Sequence, residues 1–302
     1  MPYAQGVNQN TYIKLEGVGG TLDPAVAWIP LRLITNGLSQ SVEELESDEM
    51  LPGRHMAESR SGVSSVAGDL EAELTYGTFD MLLEAAFHGT WTANVLKTGS
   101  TRRKFAILKH NEDIGRWLIY RGCEVGSVAI DCPLQGKIGI TFSMIGTKEE
   151  PYVYDALTES IADPTETVMM TTFEGSLTEG GTGLNHATAL NLSLDNGMEA
   201  IYRLFSRDAY DIKLGRINVS GSLSAYIEDN RLKDKYLGET KTPLVVTLTD
   251  GENSYQISMT QAKLTTSSEE GSGDDPIIQN YDFRAFNDSA VDTEITITRI
   301  PA

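Results

Sequence analysis

The chain has 302 residues, with 24 basic and 43 acidic side chains and a formal charge of −19, the wrong sign for gripping a nucleic-acid backbone by neutralising phosphates. Its 40% hydrophobic and 22% charged residues suit a soluble β-rich protein and exclude a disordered chain or a coiled coil. No run approaches the ~18 apolar residues of a membrane span, and the start lacks a basic and apolar signal segment, so synthesis and assembly in a cytoplasm are expected.

Residues 1 to 10 are polar and are expected to be flexible. Thr11 to Gly17 alternates as a short strand, and Val18-Gly19-Gly20 reads as a turn because it lacks the Lys-Ser/Thr ending of a phosphate loop. Trp28 to Leu38 is a second strand region. From Ser39 to Gly62 the periodicity disappears, and Glu43, Glu44, Glu46, Asp48, Glu49, Arg54, Glu58 and Arg60 crowd the segment. Loops longer than about 15 residues in compact domains are usually functional, and a mixed-charge loop suits reaching across to another subunit.

Val66 to Leu74, followed by Thr78 to Phe87, reads as a strand turning into a helix. Phe79, Leu82, Leu83 and Ala86 fall on one helical face, with Thr78 as the N-cap and Gly89 as the stop. The basic run Arg102-Arg103-Lys104 opens a strand without interleaved aromatics, which favours pairing with acidic neighbours. A hairpin follows over Phe105 to Cys123, then strands at Val125 to Ile130 and Lys137 to Gly146. Ile138, Ile140, Phe142 and Met144 give the last of these one core face.

Residues 151–165 form a linker whose prolines cannot continue a central strand. Beyond it come strands at Thr167 to Phe173 and Ala189 to Leu194, then Glu199 to Leu214, a shorter counterpart of the acidic excursion that packs where the first one projects. Val219 to Ile227, followed by the helix Asn230 to Gly238, then repeats the strand and helix unit, with Val66 and Val219 153 positions apart. The repeat extends upstream, where Leu31 to Leu38 answers to Leu190 to Met198 at an offset near 160, and downstream, where Phe105 to Tyr120 answers to Val245 to Ser258 near 140. These shifts place about seven extra residues after Ser41 and about thirteen between Gly89 and Arg103. The acidic turn Glu269 to Asp275 lacks the ligand spacing of a calcium loop. Pro276 to Phe286 and Thr293 to Ile300 are closing strands.

The fold expected is mainly β: two tandem β-sandwich domains, residues 1–150 and 166–302, each with one flanking α-helix and each burying its own core. Cys123 and Cys132 read as reduced thiols. His55, His88, His110 and His186 share no ligand spacing, so neither a metal nor another cofactor is expected. With no nucleophile and base in a recognisable pattern, no catalytic residue is assigned and an enzyme is not expected.

Val66-Ala67-Gly68-Asp69-Leu70-Glu71 before Phe79-Asp80-Met81-Leu82-Leu83-Glu84-Ala85-Ala86, Leu192-Ser193-Leu194-Asp195-Asn196 before Val219-Ser220-Gly221, and Phe283-Arg284-Ala285-Phe286 before Ile295-Thr296-Ile297-Thr298-Arg299 together carry a resemblance. In this order along nearly the whole chain, the sequence resembles the tail tube (major tail) proteins of long, non-contractile-tailed bacteriophages. The resemblance implies a virion protein that self-associates into stacked rings, with three two-fold chains giving pseudo-sixfold symmetry. It also implies double-stranded DNA in transit without tight binding. Tape-measure, tail terminator and baseplate proteins are the implied partners. The Ser39 to Gly62 excursion then becomes the candidate inter-ring loop. The residues also leave open a tandem β-sandwich for adhesion or carbohydrate binding, which would carry solvent-facing aromatic clusters or calcium loops.

Overall fold

A computed structural model describes residues 3–49, 55, 58–271, 273 and 275–302. The first strands are β1 (Gln9–Leu15), β2 (Ile29–Leu31), β3 (Thr35–Asn36), β4 (Ser39–Glu46) and β5 (Ser59–Glu73), followed by helix α1 (Asp80–Phe87). Next come β6 (Val95–Lys97), β7 (Phe105–Asn111), β8 (Arg116–Cys132), β9 (Gly139–Gly146) and β10 (Lys148–Pro151). The chain continues through β11 (Gly175–Glu179), β12 (Thr182–Gly183), β13 (Ala187–Asp195), β14 (Glu199–Ile201), β15 (Asp211–Lys213) and β16 (Asn218–Tyr226). Helix α2 (Arg231–Leu237), β17 (Thr242–Thr249), β18 (Ser254–Leu264), β19 (Ser268–Glu270), β20 (Ile278–Ala285) and β21 (Thr296–Ile300) complete it.

Nineteen strands join one hydrogen-bonded network of antiparallel pairs, and β14 and β15 pair separately. Two long strands organise the layers by changing sheets part-way along. The first half of β8 pairs with β7 and β10; from Glu124, across a register shift between Val125 and Ser127, its second half pairs with β9, and from Ser127 also with β13. Likewise β18 pairs first with β17 and β21, then through Ala262–Leu264 with β20. Bulges bend and twist a strand, which lets one strand turn the corner between stacked sheets. The result is one long sheet, β4-β5-β9-β8-β13-β16-β20, backed by two outer sheets, β2-β1-β7-β8-β10 and β12-β11-β17-β18-β21-β6.

Alternation along the long sheet sorts its two faces. Val66, Leu70 and Ala72 of β5 are buried, whereas Ala67, Asp69 and Glu71 between them are exposed. Where strands approach closely, glycine is required. A Cβ on Gly68 would meet the Gly37 carbonyl, and one on Gly221 would meet the Asn191 carbonyl, both well inside contact distance.

Several expectations change. The larger buried apolar cluster spans both halves, from Ile13 to Ile297, and a smaller one holds Trp28, Ala106, Leu108 and Ile119. The pairing of β8 with β13 sets Val128 and Ile130 beside Leu194 and Leu192, so apolar packing continues across the join. Within the Ser39 to Gly62 excursion, Ser39–Glu46 and the start of β5 form a paired arm, with Glu46 opposite Ser59; residues 50–54 and 56–57 lie outside the described residues. Both faces of this arm are solvated, so its strands need no alternation and leave no period in the sequence. The start of the chain is held as well: Gly6–Asn8 forms a short 3-10 turn and Asp113 accepts from the Gln5 N–H at 2.8 Å.

Thr78 does not cap α1; it accepts a hydrogen bond from Thr75 at 2.7 Å, while His88 in the left-handed conformation ends the helix. The Thr167 to Phe173 segment makes only isolated bridges, at Met169 with Thr75 and Thr171 with Lys137. The insertion after Gly89 carries its own strand, β6, whose fully buried Leu96 faces Ile297 of β21. Residues 152–162 are fastened to Trp28, which accepts from the Ala162 N–H and donates to the Ser160 carbonyl, both at 2.8 Å. Tyr152 packs edge-on to the same indole.

Candidate assembly interface

The residues predicted for the inter-ring contact lie on one arm. Glu43, Glu44 and Glu46 are on β4, Asp48 and Glu49 follow it, Glu58 adjoins β5 and Arg60 is within it; all are exposed. Arg54 lies outside the described residues. Among the described residues none of these side chains forms an ion pair. Val42 and Leu45, each 53% exposed, add apolar surface to this arm. An exposed strand edge with apolar side chains is a template for pairing with another chain.

The second structural feature is the join between β8 and β13, with Ser127 opposite Asp195 and Cys132 opposite Leu190. Asn196 locks its end. This buried side chain donates to the Ala86 and Val125 carbonyls at 2.9 and 3.2 Å, and its own N–H donates to the Gly126 carbonyl. A charged cluster extends the join: Arg102 meets the buried Glu124 at 2.6 Å and Asp211 at 3.2 Å, and Lys104 meets Asp211 at 2.6 Å. Burial pushes the Asp211 carboxyl up, but hydrogen bonds from Lys104, the Ile212 N–H and Arg102 outweigh that and hold it at about 2. The β14-β15 hairpin is thereby drawn onto β5, where Ser64 donates to Asp208 at 2.7 Å and accepts from Tyr202 at 3.1 Å. The basic run is thus consumed by internal pairs, since Arg103 also meets Glu84 at 3.4 Å.

The third feature is the solvent face of the long sheet, a broad surface of small polar residues. Asp69, Glu71, Asp131, Asp195 and Asp282 stand exposed on it, with Arg284 beside them. Asp131 accepts a hydrogen bond from Asn191 across the join, at 3.4 Å. The alternating Asn218, Ser220, Ser222 and Ser224 already mark this face in the sequence, but the acidic residues sit on strands from both halves. Only pairing places them together. Among the described residues no group of His, Cys, Asp and Glu side chains is arranged to hold a metal ion, and no helix is long and apolar enough to cross a membrane.

A family model described as phage tail tube protein matches residues 6–285. The chain belongs to the phage tail tube protein family. No curated protein matches it significantly. As a tail tube protein it is a structural, non-enzymatic component of the phage virion that assembles with itself into a tube. Family membership decides against the adhesion reading. Among the described residues of this tail tube protein, two edges of the long sheet have no strand partner: the outer side of β4, and the side of β19 turned away from β20. Self-assembly has both edges available.

Proposed function

We propose that the tail tube protein carries two tandem tube folds, residues 1–150 and 166–302 joined by 151–165, and that three chains form a ring with pseudo-sixfold symmetry. Rings stack into the tube of a long, flexible, non-contractile siphophage tail, through which the genome passes into the host.

The observation that carries this reading is the correspondence of strand registers. β5 pairs with β9 and β16 with β20 so that Val66 and Val219, 153 positions apart, occupy the same place. Bulges fall at matching sites: Val125 to Ser127 in the first half, and between Leu264 and Ser268 in the second. Gly68 and Gly221 correspond too, as do the Gly37 and Asn191 carbonyls that crowd them. On this register Leu38 answers to Leu192, 154 positions on, which supports an upstream alignment different from the offset near 160. It also brings the two hairpins to within one residue of equal length, with no seven-residue excess in the first.

The first fold's β8 offers its edge to the second fold's β13. The second fold's β19 then offers the same edge to β4 of the next chain, and closing the sheet removes its exposed edges. The solvent face of this sheet lines the lumen. Duplex DNA carries one negative charge per ~1.7 Å, and Asp69, Glu71, Asp131, Asp195 and Asp282 give the wall the sign that lets it slide. The arm segment that carries Glu43, Glu44, Glu46, Asp48, Glu49, Arg54, Glu58 and Arg60 bridges stacked rings. Tape-measure, terminator and baseplate proteins meet the tube at its bore and ends.

Electron cryomicroscopy of tubes assembled from the purified protein tests the ring. Three chains per ring with the acidic face inward is the expected image; six chains, or a lumen lined by lysine and arginine, defeats it. Deleting Glu46 to Glu58 is expected to leave soluble protein without tubes, and normal tubes would remove the arm from stacking.

A further inference from the structure

The join inside the chain is a template for the join between chains, an inference that rests on the tandem folds proposed for residues 1–150 and 166–302. Asp211 opens β15, opposite Ile201. Glu58 stands just before β5, its carbonyl accepting from the Ser47 N–H at 2.9 Å. The β4-β5 hairpin shifts register by one residue between Val42 and Glu44. The second hairpin shifts by the same amount between the Asp195–Asn218 pair and the Glu199–Lys213 pair. Glu58 and Asp211 therefore occupy one position of the two folds.

Inside the chain Asp211 reaches out of its own fold to Lys104. The counterpart of Lys104 is Lys241, because Phe105 faces Cys123 across a shifted pair as Thr242 faces Ala262. The surroundings correspond as well. Glu124, whose partner is Arg102 at 2.6 Å, has Lys263 as its counterpart, and Lys263 pairs with Glu239 at 2.9 Å, the same contact with its charges reversed. Lys241 is exposed, lies over the Phe286 ring at 5.1 Å and forms no ion pair among the described residues, although its charge helps lower the Asp288 carboxyl. Glu58 is likewise exposed and meets no cation there.

We propose that Glu58 of one chain pairs with Lys241 of the next, closing the seam between copies as Asp211 and Lys104 close it within each chain. The partner is a second copy of this chain, and the contact is lateral, made just beyond the outermost pair of the arm, Glu46 and Ser59; it assigns Glu58 to the seam between neighbouring chains rather than to stacking. Charge pairs of this kind fix register and suppress wrong partners more than they add raw affinity.

Carbodiimide treatment of wild-type assemblies couples a carboxylate to an amine in direct contact, and mass spectrometry is expected to find a Glu58–Lys241 amide joining two chains. Lys241→Glu is expected to raise the protein concentration needed for tubes at least about tenfold, as is Glu58→Lys, while circular dichroism shows both variants folded. The exchange variant carrying both substitutions is expected to return to within about threefold of wild type. No cross-link, unchanged assembly of the single variants, or no recovery in the exchange variant overturns the pair. A ring without three chains fails the tandem reading instead, and cryomicroscopy of the same wild-type sample distinguishes the two failures.

Discussion

Tyr255 donates its phenolic proton to Asp80 at 2.5 Å, while Arg299 grips the other oxygen of the same carboxylate at 2.6 Å. Burial pushes the Tyr255 phenol well above its ordinary value, and the Asp80 charge pushes it further. The first turn of α1 is thereby tied to β18 and β21, and Arg299 lies over the Trp91 ring at 4.2 Å. Asp80→Ala leaves a buried donor without its acceptor, and the expected loss is ~1–3 kcal/mol in urea unfolding. Tyr255→Phe removes the donor instead and should cost less, about 1 kcal/mol.

Acid should release the β14-β15 hairpin only late. The folded Asp211 carboxyl, at about 2, lies below its ordinary value of 3.8. Its contribution is therefore complete above the ordinary carboxylate range and is lost as pH falls through about 2. An NMR titration should find Asp211 as one of the last carboxylates to protonate. Lys104→Ala removes the principal hydrogen bond holding it down, so the midpoint should rise toward 3.8.

The join between β8 and β13 should behave as core. Leu192, only 5% exposed, faces Ile130 there. Leu192→Ala is expected to cost ~2–5 kcal/mol by chemical denaturation. Ser193→Ala, on the opposite face of the same strand, should stay within about 0.5 kcal/mol.

Gly68→Ala and Gly221→Ala should each destabilise by more than about 1 kcal/mol, because the added methyl drives β5 away from the Gly37 carbonyl or β16 away from that of Asn191. Thermal unfolding compares them with Gly6→Ala, where a Cβ meets nothing within 4 Å. Equal midpoints for all three would contradict the close approach.

Much of the long sheet was legible in the sequence because it is half buried. Val219, Leu223 and Ala225 alternate with Ser220, Ser222 and Ser224, and the strand they predict is β16. The family resemblance rested on such stretches and agrees with the family match over residues 6–285. What stayed hidden was set by long-range pairing. The described residues of the arm, Glu43 to Glu49 and Glu58 to Arg60, are exposed on both faces, so two strands read as a loop. Asp69 and Asp282 share a surface only because strands of both halves enter one sheet, and no local spacing records that. The core shared by both halves was unreadable for the same reason, since Val128 and Leu194 are neighbours through the pairing of β8 with β13.

The short strand β6 belongs to the first half of the sequence yet completes an outer sheet of the second through Leu96 and Ile297. A polypeptide cut at residue 158 would leave the C-terminal piece with a bare slot along β21 and the N-terminal piece with an unseated strap. Each fragment would be sticky by itself, and the two should recognise one another when mixed. The strap also makes β21 a latch, seated only once Val95–Lys97 lies beside Thr296–Thr298.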